Sequence, residues 1–377
     1  MSKKATLVNQ VTGPLFIDIA NAYISKFDEV ILITGSIEPT SAELDSRIKV
    51  LMKCKYKRNK GHLRIYTWLL FFMQIFVYIL FNKNHGKILF VSNPPLLPFL
   101  GSNFSDRKNF DFDVLVYDVY PDALSNFGYI KEGSLLYRLW DRMNKKVYLK
   151  ATRVFTISNV MQKVISRTIE KDKVEVIYPW VDMSFIKPIE KENNWFVKEQ
   201  GLLDKKVILY SGNMGITHDL MTVLKTAKKL SLITNNFHFL FIGDGAQKEK
   251  LVAYKEDNKL SNVTFLPYQA SEILPFSFAS ADFGIVSLGK GAEGLSVPSK
   301  TFYMLATGSA IISISKPNSE VSNLLRDNSC GVSIGPSDYQ SLFEFLISIG
   351  DSDLKKYKEN SRSLSNHFTH KNAYKFL

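Results

Sequence analysis

Twelve short runs of branched and aromatic apolar residues, each separated from the next by a stretch of helical period, constrain this chain more than any other feature. In the first half they are Thr6–Val8, Val30–Thr34, Ile88–Ser92, Val114–Tyr117, Arg153–Ile157 and Val174–Tyr178. In the second they are Val207–Ser211, Phe237–Ile242, Val263–Leu266, Phe283–Val286, Ala310–Ser313 and Gly331–Ile334. A strand with one wet face alternates apolar and polar residues, so near-continuous apolar runs predict strands covered on both faces of a parallel sheet. Helical periodicity between them, as over Leu135–Lys150 and Leu220–Leu232, supplies the crossovers of doubly wound α/β sheets. The 377 residues suit two such domains of roughly 150–200 residues rather than one. Tyr178-Pro179-Trp180 closes the first series, a charge-rich stretch follows from Lys187-Pro188, and a fresh strand opens at Val207. The expected domains are therefore 1–180 and 181–351, with a charged helical tail over 352–377 placed to pack back on the first.

A formal net charge of +12 calls for nucleic acid, an anionic membrane surface or phosphorylated substrates. Lys53, Lys55, Lys57, Arg58, Lys60 and Arg64 crowd before an apolar stretch from Ile65 to Phe81, and Arg138, Arg142, Lys145, Lys146 and Lys150 share one helix. Neither cluster has the glycine–aromatic pattern of an RNA-binding sheet or zinc-finger spacing, so no nucleic-acid partner is expected. Basic residues abutting an apolar helix read as a footing on anionic lipid, the competing reading being a core helix of the first domain. Met1-Ser2-Lys3-Lys4 leads into an apolar run ending at Val8, too short for a secretion signal. The expected location is cytoplasmic, peripheral on the inner face of the cell membrane. Cys54 and Cys330 form no metal-type pair, and His367 and His370 lack further ligands. Asp111-Phe112-Asp113 precedes its strand and reads as a solvated loop. No metal site is expected.

Ligands of open α/β sheets bind outside the carboxyl ends of the strands, so the residues that follow each strand carry the chemistry. In the first domain these include Gly13 in Thr12-Gly13-Pro14, and Asp118 and Asp122, whose carboxylates flank an aromatic–proline turn and suit an acceptor hydroxyl. In the second, Tyr210-Ser211-Gly212-Asn213-Met214-Gly215 runs into a helix past His218, and Gly243-Asp244-Gly245 follows the next strand. Such turns let amides approach a diphosphate, though either is also a plain strand-to-helix connection. The stretch from Gly289 to Gly308 misses the phosphate-loop ATPase motif because Leu295 stands where its lysine belongs. A glycine loop, a helix start with Pro298 near its first turn and Lys300 just inside it nevertheless suit a diphosphate.

In order, these pieces resemble glycosyltransferase family 4, of GT-B architecture, and within it the branch of colanic-acid and L-fucosamine-type transferases. The resemblance runs through Tyr210–Gly215 with His218, Phe241–Gly245, Val263–Tyr268, Ala281-Asp282, Gly294–Lys300 and Met304–Gly308. It extends more loosely to Ser92–Pro95, Tyr117–Asp122 and Val176–Asp182. It implies two Rossmann-like domains facing a central cleft, the first for acceptor and the second for nucleotide sugar. It also implies a retaining hexosyl- or N-acetylhexosaminyl-type transferase, with no cofactor and no obligatory metal. The implied donor is a UDP-linked N-acetylated or deoxy sugar, and the acceptor a polyprenyl-diphosphate-linked saccharide of O-antigen, capsule or exopolysaccharide assembly. The residues it points to for the donor are Gly212, Asn213, Gly215, Gly245, Pro267, Tyr268, Glu293, Gly294, Leu295, Ser296, Ser299 and Tyr303. Two departures matter. Asn213 and His218 replace the arginine–lysine pair of many relatives, and Tyr303 stands where a ribose-holding glutamate is usual. Lys300 becomes the cation for the leaving diphosphate, with His218 beside it. A nucleotide-sugar 2-epimerase of the same fold and a non-catalytic membrane adaptor remain as alternatives.

Overall fold

The computed structural model describes residues 3–38, 42–57, 61–126, 128–289 and 297–377. The chain divides into two compact units, Met1–Pro179 with His370–Leu377, and Trp180–Thr369. The first holds strands β1 (Lys4–Val8), β2 (Glu29–Thr34), β3 (Lys49–Met52), β4 (Lys87–Val91), β5 (Asp111–Val116), β6 (Val154–Thr156) and β7 (Val174–Val176). They form a parallel sheet in the order β3-β2-β1-β4-β5-β6-β7. Its helices are α1 (Pro14–Tyr23), α2 (Gly61–Phe81), α3 (Phe99–Lys108), α4 (Asp122–Asn126), α5 (Leu135–Lys150) and α6 (Asn159–Ile165). The order reverses at β1 and β4, the kind of switch point where α/β sheets bind ligands. Edge strand β3 and the two-residue pair Val11–Thr12 with Ser36–Ile37 escape sequence reading, because runs this short carry no period.

The second unit adds β8 (Lys206–Ser211), β9 (Phe237–Ile242), β10 (Val263–Leu266), β11 (Phe283–Ser287), β12 (Ala310–Ile314) and β13 (Gly331–Ile334). They pair in parallel in the order β10-β9-β8-β11-β12-β13. Its helices among the described residues are α7 (Trp195–Glu199), α8 (Leu220–Ser231), α9 (Lys248–Asp257), α10 (Leu274–Ala279), α11 (Lys300–Ala306), α12 (Glu320–Asn328), α13 (Tyr339–Ser348) and α14 (Asp351–Ser365). Ile208, Tyr210, Phe239, Phe241, Phe283, Ile285 and Ile312 from the central strands are buried, as apolar runs covered on both faces must be. All twelve runs predicted from sequence are strands. The tail splits: α14 packs in the second unit, where the Arg362 guanidinium donates to the Ala306 carbonyl at 2.7 Å. The last turn, His370–Phe376, belongs to the first, where the Phe376 ring lies 4.7 Å from Phe155 and its carbonyl accepts from the Tyr23 hydroxyl.

One expectation fails in the first unit. Asp111-Phe112-Asp113 is not a solvated loop but the start of β5, and Asp113 is fully buried. Its carboxylate pairs with Lys87 Nζ at 2.7 Å and accepts the Arg153 amide, which compensates its desolvation. Helix α2 is buried along one stripe only. Thr67, Phe71, Ile75 and Ile79, spaced by four, are buried, while Ile65, Tyr66, Leu69, Leu70, Met73, Val77 and Phe81 stand in solvent. An apolar helix with one buried stripe leaves its remaining face unexplained by folding alone.

Candidate functional site

Strand β8 delivers Tyr210 and Ser211 to a turn that only glycine can make. Gly212 has φ +136°, and its amide donates to the Ile242 carbonyl at 2.8 Å. The turn after β9 locks onto it. Gly243, also at φ +136°, lies against the Gly212 carbonyl so closely that any Cβ would overlap it. Met214 donates its amide to the Asp244 carbonyl at 2.7 Å, and Gly245 packs on the Met214 backbone. The Gly245 amide is held by the Asp244 carboxylate at 2.8 Å, so this residue buttresses the first turn rather than offering a donor to a ligand. The amides of Gly212 and Met214 are likewise occupied, which leaves Asn213 and Gly215 as the donors of the turn among the described residues.

What the turn makes room for is Lys300. From the first residue of α11 its side chain brings Nζ to 3.8 Å from the Tyr210 ring centroid. A Cβ on Gly212 would meet that nitrogen at 3.1 Å, so the missing side chain is the space the ammonium uses. The ammonium is buried and has no hydrogen-bond partner among the described residues. Burial draws its pKa down to about 7. This desolvated cation rests on an aromatic face with no counter-ion among the described residues, and an anion entering here meets a charge that water no longer screens.

Tyr210 organises the surroundings, a role sequence reading missed although the residue stands inside the motif. Its hydroxyl donates to the Asn213 carbonyl at 2.5 Å and lies 3.4 Å from His218 Nδ1. Burial and then the Lys300 charge lower the His218 pKa, so this imidazole is neutral at pH 7 and is not the second cation expected beside Lys300. Tyr268 is exposed after β10 and lies within electrostatic reach of the Tyr210 hydroxyl, with Pro267 next to it. Ser299, just before α11, is exposed and makes no cap. Glu293, Gly294, Leu295 and Ser296 lie outside the described residues.

Tyr303 does not join this group. Its ring packs 5.1 Å from Phe278 and against Val181, Ile186 and Ala306, on a face of α11 that serves the core. The departure from the family's glutamate is thus a packing residue. Gly308, at φ +72°, ends α11 in a left-handed stop with the Ser309 amide bonded back to Met304.

In the first unit Asp118 follows β5, with its amide 3.3 Å from Ser92 Oγ after β4, and burial raises its carboxyl pKa. Asp122 is otherwise engaged. Its carboxylate takes the Tyr137 hydroxyl at 3.1 Å and pairs with Arg167 at 3.5 Å, bracing α4 against α5 instead of awaiting an acceptor. Gly13 precedes α1, where the Glu38 carboxylate crowds it, a poor surrounding for a phosphate. Among the described residues no group of three or more His, Cys, Asp or Glu side chains is placed to hold a metal ion.

With two doubly wound units and a cationic glycine turn in place, the second unit matches a known family model over residues 205–351, that of the glycosyl transferases group 1. The chain is 25% identical over 300 residues to Pseudomonas aeruginosa "Probable glycosyltransferase WbjE", covering 77% of this chain and 74% of that one. It is 28% identical over 174 residues to WcaI of Escherichia coli K12, named as a colanic acid biosynthesis glycosyl transferase, covering 45% and 42%. Among solved structures, sucrose-phosphate synthase from Thermosynechococcus elongatus superposes with a TM-score of 0.75 at 13% identity, covering 99% of this chain and 97% of that one. Anabaena HepE, solved with UDP and glucose, gives 0.72 at 13%, covering 99% and 98%. The fold is GT-B.

Proposed function

We infer that this protein is a retaining glycosyltransferase of surface-polysaccharide assembly. It moves a sugar from a UDP-type donor onto a polyprenyl-diphosphate-linked saccharide, with no obligatory metal, at the inner face of the cell membrane. The observation that carries the reading is the buried Lys300 ammonium above Tyr210 and beside Gly212, without a hydrogen-bond partner among the described residues. Cleaving a sugar from a nucleoside diphosphate builds negative charge on the leaving group while the sugar becomes oxocarbenium-like. A preorganised cation in a dry site stabilises that charge without solvent reorganisation. The donor class is supported by HepE, which shares the fold and was solved with UDP and glucose, and the pathway class by the name of WcaI. The test is a panel of UDP-sugars with a polyprenyl-diphosphate-saccharide, the product anomer being read by NMR. Transfer with retained configuration is expected. Epimerisation without acceptor would make the protein a 2-epimerase, and no turnover with any donor would favour a non-catalytic adaptor.

The membrane location is supported by α2 and α5. By length and composition α2 could cross a bilayer, with a mean hydropathy of 1.7, but it connects β3 to β4 of one sheet and buries one stripe in the first unit. On α5, Leu135, Arg138, Leu139, Arg142, Lys145 and Leu149 share one exposed stripe in which leucines alternate with cations. That pattern suits an interfacial helix, each cation contributing about 1 kcal/mol at an anionic surface. Flotation with anionic liposomes is expected to carry the protein up at low salt and release it at high salt. Replacing Arg138, Arg142 and Lys145 by glutamine should weaken the low-salt binding. A protein that stays in the soluble fraction at low salt would remove the membrane from this reading.

A further inference from the structure

Lys300 meets Tyr210 only while α11 stands at the right height and rotation, and the described residues fix that helix from its far end. Ser299 at its start offers no side-chain cap. The rest of the helix is gripped. The buried Phe302 ring packs edge-on with Phe368, centroids 4.9 Å apart. Met304 lies so close to β11 that a Cβ on Gly284 would overlap its sulfur. The carbonyl of Ala306, the last residue of α11, accepts Arg362 Nη1 from α14 at 2.7 Å. That nitrogen also lies 3.7 Å from the Met183 sulfur, and Arg362 has no carboxylate partner among the described residues. A guanidinium drawn partly out of water is costly, and here a single peptide carbonyl at the negative end of a helix is what it gains. The same helix receives both segments that lead out of the second unit. Val181 and Ile186, after the junction at Pro179–Trp180, pack with Ala306 and Tyr303. The Val181 amide donates at 3.3 Å to the carbonyl of Phe368, just before the return junction at Thr369–His370.

Lys300 strains against this seating. A cation at the first residue of a helix faces the positive end of the dipole, and burial strips it of water. Both effects favour a helix displaced so that the ammonium reaches solvent. What opposes them lies at the other end, where Arg362 meets the last carbonyl with a charge of the favourable sign. We propose that Arg362 is a positioning residue for the donor cation. By gripping the Ala306 carbonyl, with Phe368 bearing on Phe302, it keeps α11 seated so that Lys300 stays over the Tyr210 ring and beside Gly212. The place of the cation is thereby tied to the two junction segments. The proposal deepens the glycosyl-transfer reading and rests on it for why the place of Lys300 matters, but the seating itself needs no ligand.

The test follows Lys300 itself, by NMR on the full chain labelled with carbon-13 lysine. Its Cε resonance, assigned by its loss in Lys300→Ala, is titrated with pH in the wild type and in Arg362→Met, which keeps the aliphatic length and removes the guanidinium. The groups facing the ammonium among the described residues are Tyr210 from β8, kept protonated by burial, and His218 ahead of α8, kept neutral, so the titration reports the hydration of Lys300. The wild type should show a midpoint of about 7. In Arg362→Met water reaches the ammonium, and the midpoint should rise to about 8 or above. Arg362→Lys can donate to the same carbonyl and should bring it part of the way back. Phe368→Leu should shift it in the same direction and covers the case in which Arg362→Met does not fold. UDP affinity at pH 6, read by calorimetry, should drop about tenfold in Arg362→Met, and its further fall to pH 8.5 should flatten. A wild type that titrates as expected but does not bind UDP would tell against the donor reading and not against the seating. A lower Tm in Arg362→Met with the Lys300 midpoint unmoved would leave Arg362 as a residue of the fold alone and overturn the proposal.

Discussion

Lys300→Ala is expected to lower kcat by about 30- to 1000-fold while leaving the fold intact. The figure corresponds to about 2–4 kcal/mol, the range for losing one preorganised charge-assisted contact to a developing anion. The structure adds a sign that separates catalysis from scaffolding. A structural lysine has partners, and removing it lowers stability; this ammonium is buried without a hydrogen-bond partner among the described residues, so its removal relieves desolvation and the Tm should hold or rise. The pH dependence follows from the same cause. With the pKa drawn down to about 7, the free protein loses this charge as pH rises through neutrality. UDP affinity should therefore fall from pH 6 to pH 8.5 in the wild type and vary far less in Lys300→Ala, as read by calorimetry. Wild-type turnover in the mutant, or a fall in Tm matching the fall in rate, would return Lys300 to a packing role.

Gly243→Ala should be among the most damaging single-methyl changes in the second unit, costing about 3 kcal/mol or more of stability. Two penalties add. Alanine is strained at φ +136°, and its Cβ would overlap the Gly212 carbonyl. Relief requires moving Gly212, and with it the floor under the Lys300 ammonium, so UDP binding should weaken even where the protein still folds. Gly201→Ala is the control: Gly201 also has positive φ, at +65°, but a Cβ there meets nothing within 4 Å, and the expected cost is about 1–2 kcal/mol. Urea unfolding of both variants decides the matter. Equal losses would mean that the two glycine turns are not interlocked as described.

Much of the architecture was readable because burial on both faces writes itself into a strand as an unbroken apolar run. Phe237–Ile242 and Ala310–Ile314 could hardly be anything else. The glycines at 212, 243 and 308 were legible as turns because each needs a positive φ that side chains resist. Roles that depend on which neighbour a side chain meets were not legible. Asp113 looks like a loop carboxylate until Lys87 and Arg153, from other strands, are seen to enclose it. Asp118 and Asp122 look equivalent in sequence, yet Tyr137 and Arg167 occupy one and leave the other near Ser92. Arg362 and Phe368 lie far along the chain from α11 and share no motif with it, so their hold on that helix comes into view only once the second unit is assembled.

By itself, then, the sequence determined the two parallel sheets, the turns that punctuate them and the set of residues that could meet an anion, because backbone sterics and apolar periodicity act locally. The tertiary structure decided which of those residues stay free to act. Lys300 is a first-turn lysine like many others until Tyr210 and Gly212 take it out of water, and His218 is a plausible cation until burial, and then the charge of that same lysine, holds it neutral. Charge and burial act between elements distant in sequence, and no local pattern encodes them.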